Sequence, residues 1–373
     1  MTIANPGIGA LERLNTLPPD WPGGFWWHWL LFTIVTIAVV FIMLIINIYI
    51  ERRGMGRIQS RVGPNRTGPF GIFQAVADGV KILTKEFITP ANSDKVIFWL
   101  APIVAFAPVF LIFAVVPITD GGLLADLNIG ILYVVAIGSV STVGVFMAGW
   151  SSSNKYSLLG AMRNVAAVVS YEIPMVLAIA SVVLVAGSLS LNQIVLAQDI
   201  PFILLQPLAF IIVFLSGCAE INRSPFDLME ADSELVAGFH TEYSGMKFAM
   251  FYLVEYGEAF VVASIISTLF LGGWRGPVLP QWLWFVIKAI LIFFVMVWIR
   301  TTSPRVRIDQ LMALAWKFFF PLALINLFIT GILVLTLPEG YQWVMIPVNF
   351  AVAGVLILLW SRLFKLGWGR VEV

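Results

Sequence analysis

The chain has 373 residues, of which 60% are hydrophobic and 12% charged, and its formal net charge is +1. A soluble domain carries about 25% charged residues, so this composition excludes an ordinary soluble protein and predicts an α-helical membrane protein. The single cysteine, Cys218, excludes a disulfide framework and a thiolate metal or iron–sulfur site.

Apolar runs recur along the whole sequence, and a run of about 20 such residues is long enough to cross a bilayer as a helix. We predict an all-α polytopic membrane protein with about nine transmembrane helices, forming one integral membrane domain over residues 1–373. The predicted spans are about 27–49, 96–116, 129–148, 161–185, 201–219, 248–270, 282–300, 311–337 and 344–364. Two connections are longer than turns: a loop at 50–95 with an amphipathic helix, and an acidic loop at 219–247.

Successive connections between the predicted spans lie on alternate sides of the membrane, and lysine and arginine are divided unevenly between the two sides. The first connection and the alternate ones after it carry most of them, whereas the opposite set carries only Arg13 and Arg275. Basic connections are typical of the cytoplasmic side. The sequence therefore predicts a bacterial plasma-membrane protein with its N-terminus outside, its C-terminus in the cytoplasm, and both long loops on the cytoplasmic side.

The first long connection starts at Glu51, which could form a surface salt bridge with the neighbouring Arg52 or Arg53. A turn rich in glycine and proline follows at 61–69. It lacks the GK[ST] sequence of a phosphate-binding loop, and no strand precedes it, so nucleotide binding is excluded there.

Further along this connection, residues 74–87 show helical periodicity. One face would carry Val76, Val80, Leu83 and Phe87, and the other Gln74, Asp78, Lys81 and Lys85. This pattern predicts an amphipathic helix on the membrane surface. It would serve either as a lipid contact or as one wall of an opening for an amphiphilic ligand.

Three carboxylates fall within predicted spans. Glu172 lies near the middle of the fourth span, and Glu255 and Glu258 lie three residues apart on one face of the sixth. An ionised carboxylate in hydrocarbon is costly, so these side chains must face protein or water, and such residues usually mark functional sites. Glu258 could instead be a structural partner that shares a proton with Glu255.

The acidic loop contains many carboxylates against one strong base, Arg223. The acids are Glu220, Asp227, Glu230, Asp232, Glu234 and Glu242. Ser224 followed by Pro225 is typical of a helix start, and Gly238 of a helix end, so we predict a short helix between them. Its acids would form either a solvated face or, under partial burial, a group that takes up protons and joins the intramembrane acids in a proton-conducting line.

Six segments of the chain resemble a known family. They are ERRGMGRIQSRVGPNRTGPFG, VADGVKILTKE, GWSSSNKYSLLGAMR, SYEIP, AEINRSPFDLMEADSELVAGFHTEYSG and FLGGW. Together they resemble the quinone-site membrane subunit of respiratory complex I, the proton-translocating NADH-quinone oxidoreductase. The resemblance runs from about Glu51 to the end of the eighth span, and the acidic-loop segment is its most specific part.

The resemblance implies a quinone tunnel between the first span, the amphipathic helix and the sixth span. The tunnel residues it implies are Glu51, Arg52, Arg61, Asp78, Arg223, Asp227, Asp232 and Glu242. It also implies an acidic channel that links quinone reduction to proton pumping. The channel residues it implies are Glu172, Glu220, Glu230, Glu234, Glu255 and Glu258.

The resemblance further implies that quinone is a substrate, and that the isolated chain has no redox activity, no catalytic residue, no metal and no cofactor of its own. NAD and the iron–sulfur clusters would lie in partner subunits. The implied partners are the iron–sulfur and quinone-site subunits of the peripheral arm, the small membrane subunits leading to the antiporter-like subunits, and membrane lipid, with no nucleic acid.

Three positions depart from the usual family pattern: Phe87, Ala167, and Glu258, which stands where asparagine is common. Three other interpretations stay open from the sequence. The chain could be the anchor of a related membrane-bound hydrogenase, a stand-alone proton-coupled transporter, or a structural anchor whose acids dock basic partner surfaces. A transporter should be active when purified alone, whereas one component of a larger complex should be inert without its partners.

Overall fold

The computed structural model describes residues 26–120, 124–227, 235–337 and 342–363. Within these ranges the regular structure is helical, and no strand occurs. The α-helices are α1 (Trp26–Ile58), α2 (Gln74–Leu83), α3 (Lys95–Phe113), α4 (Gly130–Ser151), α5 (Lys155–Ala186), α6 (Leu191–Leu196), α7 (Phe202–Leu205), α8 (Pro207–Glu220), α9 (Gly245–Phe270), α10 (Gln281–Thr302), α11 (Ile308–Ala313), α12 (Phe320–Thr336) and α13 (Gln342–Leu363).

The predicted all-α polytopic fold is confirmed. Seven helical segments in the described part of the chain are long and apolar enough to cross a membrane, with α11, α12 and the residues between them forming one segment. The shorter α8 and most of α13 are apolar as well. Helical structure therefore occupies each of the nine predicted spans.

Two predicted span limits are wrong because helices continue past their apolar runs. The first helix extends to Ile58 rather than to about residue 49, so Glu51, Arg52, Arg53 and Arg57 are helical. Arginine, glutamate and methionine are good helix formers, and no proline interrupts this stretch. The helix of the fourth span, α5, likewise begins earlier than predicted, at Lys155, and the Asn154 side chain accepts a hydrogen bond from the Tyr156 N–H as an N-cap.

The predicted surface helix is present as α2 but is shorter than its periodicity indicated, because it ends at Leu83 and leaves Phe87 outside. Its apolar side chains Val76, Val80 and Leu83 are about half exposed in the isolated chain. That apolar face has no protein partner here and is of the kind that lies against lipid.

Two spans are irregular in ways that the hydropathy pattern did not show. The fifth is broken at Gln206, which separates α7 from α8 and is followed by Pro207. The eighth contains a π-helical segment, Leu314–Phe319, between α11 and α12. Tyr171 of α5 packs beside this segment and donates a hydrogen bond to the Leu311 carbonyl at 2.9 Å. π-helical turns are frequent at functional sites.

The predicted helix start in the acidic loop is wrong. Residues 224–227 form a turn, in which the Phe226 N–H donates to the Arg223 carbonyl at 2.9 Å. Gly238 does not end an α-helix but begins a 3-10 turn, Gly238–His240, with φ of 63°. The rest of the predicted helix, with Glu230, Asp232 and Glu234, lies outside the described residues.

The basic connections meet at one end of the bundle. The Ile88 N–H donates to the Ser244 hydroxyl at 2.9 Å and joins the first connection to the acidic loop. The Val306 N–H donates to the Pro225 carbonyl at 3.0 Å and joins the acidic loop to the connection after α10. Both long loops therefore lie at the same end of the bundle, as the distribution of lysine and arginine among the connections predicted.

The opposite end is held by a separate set of polar contacts. Arg275 donates to the Gln198 carbonyl at 2.8 Å, and the Lys288 ammonium donates to the Leu271 and Gly273 carbonyls at 2.7 and 2.9 Å. Long cationic side chains near helix ends commonly satisfy terminal carbonyls in this way.

Close helix packing holds α4 between α3 and α5. A Cβ on Gly144 of α4 would lie 2.5 Å from the backbone nitrogen of Ala105 in α3. A Cβ on Gly149 would lie 2.3 Å from the Ala161 Cβ in α5. Small residues allow such approaches between membrane helices. The position of α4 matters because its middle turn borders the candidate site.

Candidate functional site

Four charged residues from four parts of the chain form the arginine cluster: Glu51, Arg223, Glu255 and Arg300. The Glu51 carboxylate is 1% exposed and accepts hydrogen bonds from Arg223 and, at 2.5 Å, from Arg300. The Glu255 Oε1 lies 3.3 Å from Arg223 Nε and 3.4 Å from Arg300 Nη1. Glu51 is thus a buried ion-pair partner, and the predicted surface salt bridge with Arg52 or Arg53 is wrong.

Arg223 is held by charges and by aromatic rings. Its guanidinium carbon lies 4.6 Å from the Tyr256 ring centroid and 5.5 Å from that of Phe293. Burial alone would lower the pKa of Arg223, but the charges of Glu51 and Glu255 outweigh it and raise that pKa. Arg223 is therefore a permanent cation, as a buried guanidinium beside two carboxylates should be.

Three further carboxylates form the acid cluster: Glu172 of α5, Glu220 at the end of α8 and Glu258 of α9. Glu220 lies within electrostatic range of the other two. None of the three forms an ion pair with a lysine or arginine in the described part of the chain. Two of them have hydroxyl neighbours instead. Ser139 donates to the Glu172 carboxylate at 2.5 Å, and Ser141 lies near Glu258, with which it lines the acid cavity described below.

Cavities connect these groups. The acid cavity, of about 130 Å³, is lined by Glu220, Glu255 and Glu258 together with Asp227 and Arg300. A smaller cavity of about 50 Å³, the apolar cavity, shares only Glu220 and Glu258 with it and is otherwise lined by apolar residues and glycine. Glu220 and Glu258 therefore stand at the junction of a polar and an apolar space.

A third and larger cavity, the surface cavity, has a volume of about 680 Å³ and lies between α2 and the start of α9. Its wall includes Arg52 and Asp78, which form an ion pair. Phe248 and Tyr252 line both this cavity and the acid cavity, so the two cavities meet at these side chains. The three cavities thus follow one another from the surface helix toward the middle of the bundle.

Asp78 is the acidic group of the surface cavity. Burial would raise the pKa of its carboxyl, but hydrogen bonds from Arg52 and from the Gln74 amide, which donates at 3.0 Å, outweigh burial and hold that pKa below its usual value. Asp78 is therefore ionised at neutral pH. Tyr243 lines the same cavity, and burial raises the pKa of its phenol to about 12, so it stays neutral there.

Three other predicted tunnel residues, Arg61, Glu242 and Asp227, lie apart from the surface cavity, and Asp232 lies outside the described residues. Arg61 lines a separate cavity of about 210 Å³ with Arg53 and Arg57. Glu242 accepts a hydrogen bond from the Asn154 amide at 2.7 Å. Asp227 lines the acid cavity and lies 3.9 Å from Arg305. Arg52 and Asp78 are thus the predicted tunnel residues that the structure brings together at the surface helix.

Sequence reasoning missed several residues of the site. Arg300 was counted only among the basic connections, although it holds both Glu51 and Glu255. Ser139 and Ser141 were not singled out, because isolated serines in an apolar helix are usually bonded to their own backbone. These two serines lie two positions apart in α4, and that spacing alone does not distinguish them from other serines in apolar helices.

Comparisons with known proteins identify the family of this chain. A family model described as NADH dehydrogenase matches residues 31–331. The H subunit of NADH-quinone oxidoreductase from Dehalococcoides mccartyi strain CBDB1 is 56% identical over 349 residues, covering 94% of this chain and 99% of that protein.

The corresponding H subunits of Geobacillus sp. strain WCH70 and Bacillus thuringiensis strain Al Hakam are 48% and 46% identical, each covering 87% of this chain and 98% of their own length. These matches extend over nearly the whole sequence and confirm the resemblance drawn from its motifs. The chain therefore belongs to the NADH dehydrogenase family of NADH-quinone oxidoreductase membrane subunits.

Proposed function

We propose that this chain binds quinone in the surface cavity and couples its reduction to proton movement through the carboxylates behind it. The observation that carries this proposal is the series of three cavities. Phe248 and Tyr252 join the surface cavity to the acid cavity, and Glu220 and Glu258 join the acid cavity to the apolar one. A change of charge in the first cavity would therefore act on acids a short distance away.

The surface cavity suits an amphiphilic ligand. Its volume of about 680 Å³ is within the usual range of ligand pockets, about 300–1,000 Å³. The exposed apolar face of α2 offers a route from lipid, while Arg52, Asp78 and the Tyr252 hydroxyl supply polar groups for a headgroup. Reduction of a quinone to a quinol takes two electrons and two protons. The electrons would come from iron–sulfur clusters of partner subunits, which in turn receive them from NADH.

The coupling step uses the acid cluster. Proton uptake by the reduced quinone would change the electrostatic potential at the loop acids, including Asp227 and the Glu230 and Glu234 of the same loop. Glu220, Glu172 and Glu258 would answer by changing protonation, because they lack the fixed cations that hold Glu51 and Glu255. Glu255 would transmit the change through its contact with Arg300.

The proposal includes an orientation and a set of partners. The end with the basic loops would face the cytoplasm of a bacterium, with the N-terminus outside and the C-terminus inside the cell. That end would dock the peripheral iron–sulfur subunits. Membrane subunits leading to antiporter-like subunits would pack against the lateral surface.

The central experiment replaces one acid of the cluster in the assembled complex. With complex reconstituted into lipid vesicles, Glu220→Gln should lower NADH-driven proton pumping about tenfold or more, since a proton-relaying group is removed. Asp199→Asn is the control. This substitution also replaces a carboxylate by an amide, but Asp199 is 85% exposed and lies at the opposite end of the bundle. Normal pumping by Glu220→Gln would refute the coupling role.

Two further measurements test the partners and the orientation. Mild solubilisation should co-purify iron–sulfur subunits, whereas proton transport by the purified chain alone would favour the stand-alone transporter.

Val62 and Val278 are 83% and 85% exposed at opposite ends of the bundle. In a Cys218→Ala background, an impermeant maleimide should label Val278→Cys in intact spheroplasts, and Val62→Cys only after permeabilisation. Labelling in the reverse pattern would invert the orientation.

A further inference from the structure

One turn of α4 meets all three members of the acid cluster. The Ser139 hydroxyl donates to Glu172 Oε1 at 2.5 Å, and Ser141 lines the acid cavity beside Glu258, within interaction range of its carboxyl group. Between α4 and α8, a Cβ built on Gly138 would lie 3.5 Å from Glu220 Oε1, so the missing side chain leaves this carboxylate against bare backbone. Three acids from three different helices therefore face four consecutive residues of a fourth helix.

We propose that Ser139 and Ser141 are positioning residues of the proton line, each holding one carboxylate in place while it gains and loses its proton. The inference rests on the proposed function, because it assigns a role to groups that contact the relaying acids. The hydroxyls exchange no proton with the acids in net terms. They act through the orientation of Glu172 and Glu258.

A hydroxyl is suited to this role because it can both donate and accept. Beside an ionised Glu172, Ser139 donates to the carboxylate, as it does in the structure. Beside a protonated Glu172, the acid would donate its proton in a hydrogen bond to Ser139 Oγ. The serine hydroxyl would then turn to the Val135 carbonyl, which lies 3.1 Å away. The acid therefore has a hydrogen-bond partner in both states, and neither state leaves a buried polar group unpaired.

The surroundings make the two serines the main polar support of Glu172 and Glu258. Glu172, Glu220 and Glu258 have no ion-pair partner in the described ranges. The helix contacts that fix α4 use other residues, since Gly144 and Gly149 mediate its close approach to α3 and α5. Replacing Ser139 by alanine should therefore remove a hydrogen bond while leaving the helix packing intact.

The experiment compares Ser139→Ala, Ser139→Thr and Glu172→Gln in the assembled complex. The control is Ser152→Ala, because Ser152 lies at the end of the same helix and donates only to the Ala148 carbonyl, at 2.7 Å. Proton pumping is measured in lipid vesicles. Infrared difference spectra between the oxidised and the quinol-reduced complex give the carboxylic-acid band that Glu172→Gln removes. Rates are normalised to the amount of assembled complex.

Ser139→Ala should shift that infrared band and lower pumping about tenfold, as expected for the loss of one hydrogen bond to a charged group. Ser139→Thr should keep both close to the parent, since it keeps the hydroxyl, and Ser152→Ala should change neither. An unaltered band and rate in Ser139→Ala, or equal impairment in Ser139→Thr, would overturn the inference.

The outcomes for the inference and for the proposed function are separable. Loss of pumping in Glu172→Gln together with an unaltered Ser139→Ala would overturn the inference alone. Normal pumping in Glu172→Gln would overturn both. If Ser139→Ala reduces assembly, the pair Ser141→Ala and Ser141→Thr provides the same comparison at Glu258, with the same outcomes deciding it.

Discussion

The arginine cluster and the acid cluster border one cavity and share helix α9, yet they solve the problem of buried carboxylates differently. Glu51 and Glu255 are matched by two guanidinium groups. Glu172, Glu220 and Glu258 face hydroxyls, glycine and one another. Fixed cations hold a carboxylate in place, whereas hydroxyls can accompany a proton. The difference separates a structural charge network from a set of exchangeable groups.

The largest expected effect comes from breaking the arginine cluster. Arg223→Met should destabilise the protein by about 3–5 kcal/mol, because Glu51 then loses one of its two cations while remaining buried. The measurement is the yield and the melting temperature of the assembled complex. Glu51→Gln in the same chain should restore part of the loss. A double variant no more stable than Arg223→Met would mean that the pair does not hold the fold together.

Glu255 and Glu258 sharpen the comparison because they lie one turn apart on α9. Glu255→Gln should destabilise the complex by about 1–3 kcal/mol, since Arg223 and Arg300 lose a shared carboxylate. Glu258→Gln should leave the melting temperature near that of the parent and lower pumping about tenfold. Both are measured by thermal unfolding and by vesicle pumping. The two clusters would not differ in kind if both variants lost stability equally.

Substitutions at two glycines of α4 should distinguish the effect of helix packing from the effect on the acid cluster. Gly144→Ala should cost about 1–3 kcal/mol, because its Cβ would lie 2.5 Å from the Ala105 backbone nitrogen. Gly138→Ala places a methyl group at an ordinary contact distance of 3.5 Å from Glu220, so assembly should be normal while pumping falls a few-fold. Thermal unfolding and pumping again give the answer. Failed assembly of Gly138→Ala would show that this position is structural.

The smallest effect is expected at Asp78, where the ion pair is about one-third exposed. Asp78→Asn should cost at most about 1 kcal/mol and raise the KM for quinone a few-fold by loosening α2. Since the folded pKa of Asp78 lies below its ordinary value of 3.8, the contribution of its charge is present above that pH and is lost only as pH falls through the lowered pKa. The effect of this substitution on KM should therefore be constant between about pH 5 and 8.

The sequence was sufficient to predict the membrane-spanning helices and to identify the charged residues within them. Apolar runs located the nine spans, and the cost of charge in hydrocarbon singled out Glu172, Glu255 and Glu258. It was insufficient for the pairing of those charges. Glu51 has its partners 172 and 249 residues away, at Arg223 and Arg300, so the adjacent arginines were the wrong choice.

The ends of the helices and the hydroxyl partners of the acids could not be predicted from the hydropathy pattern, for a related reason. The first helix continues through charged residues because its backbone preference, not its lipid affinity, decides where it stops. Ser139 gains significance only when α4 and α5 are placed side by side. Such contacts depend on tertiary packing, about which a single sequence carries little information.

The depth of Glu172 along α5 has an electrical consequence. Glu172 lies 17 residues after Lys155 and 14 before Ala186, near the middle of a helix that crosses a hydrocarbon layer about 30 Å thick. A proton bound there would have crossed about half of the layer. A full crossing corresponds to about 2.3 kcal/mol per 100 mV, so proton binding at Glu172 should respond to transmembrane voltage by about 1.1 kcal/mol per 100 mV. The energised membrane would then act directly on the group that the redox reaction is meant to drive.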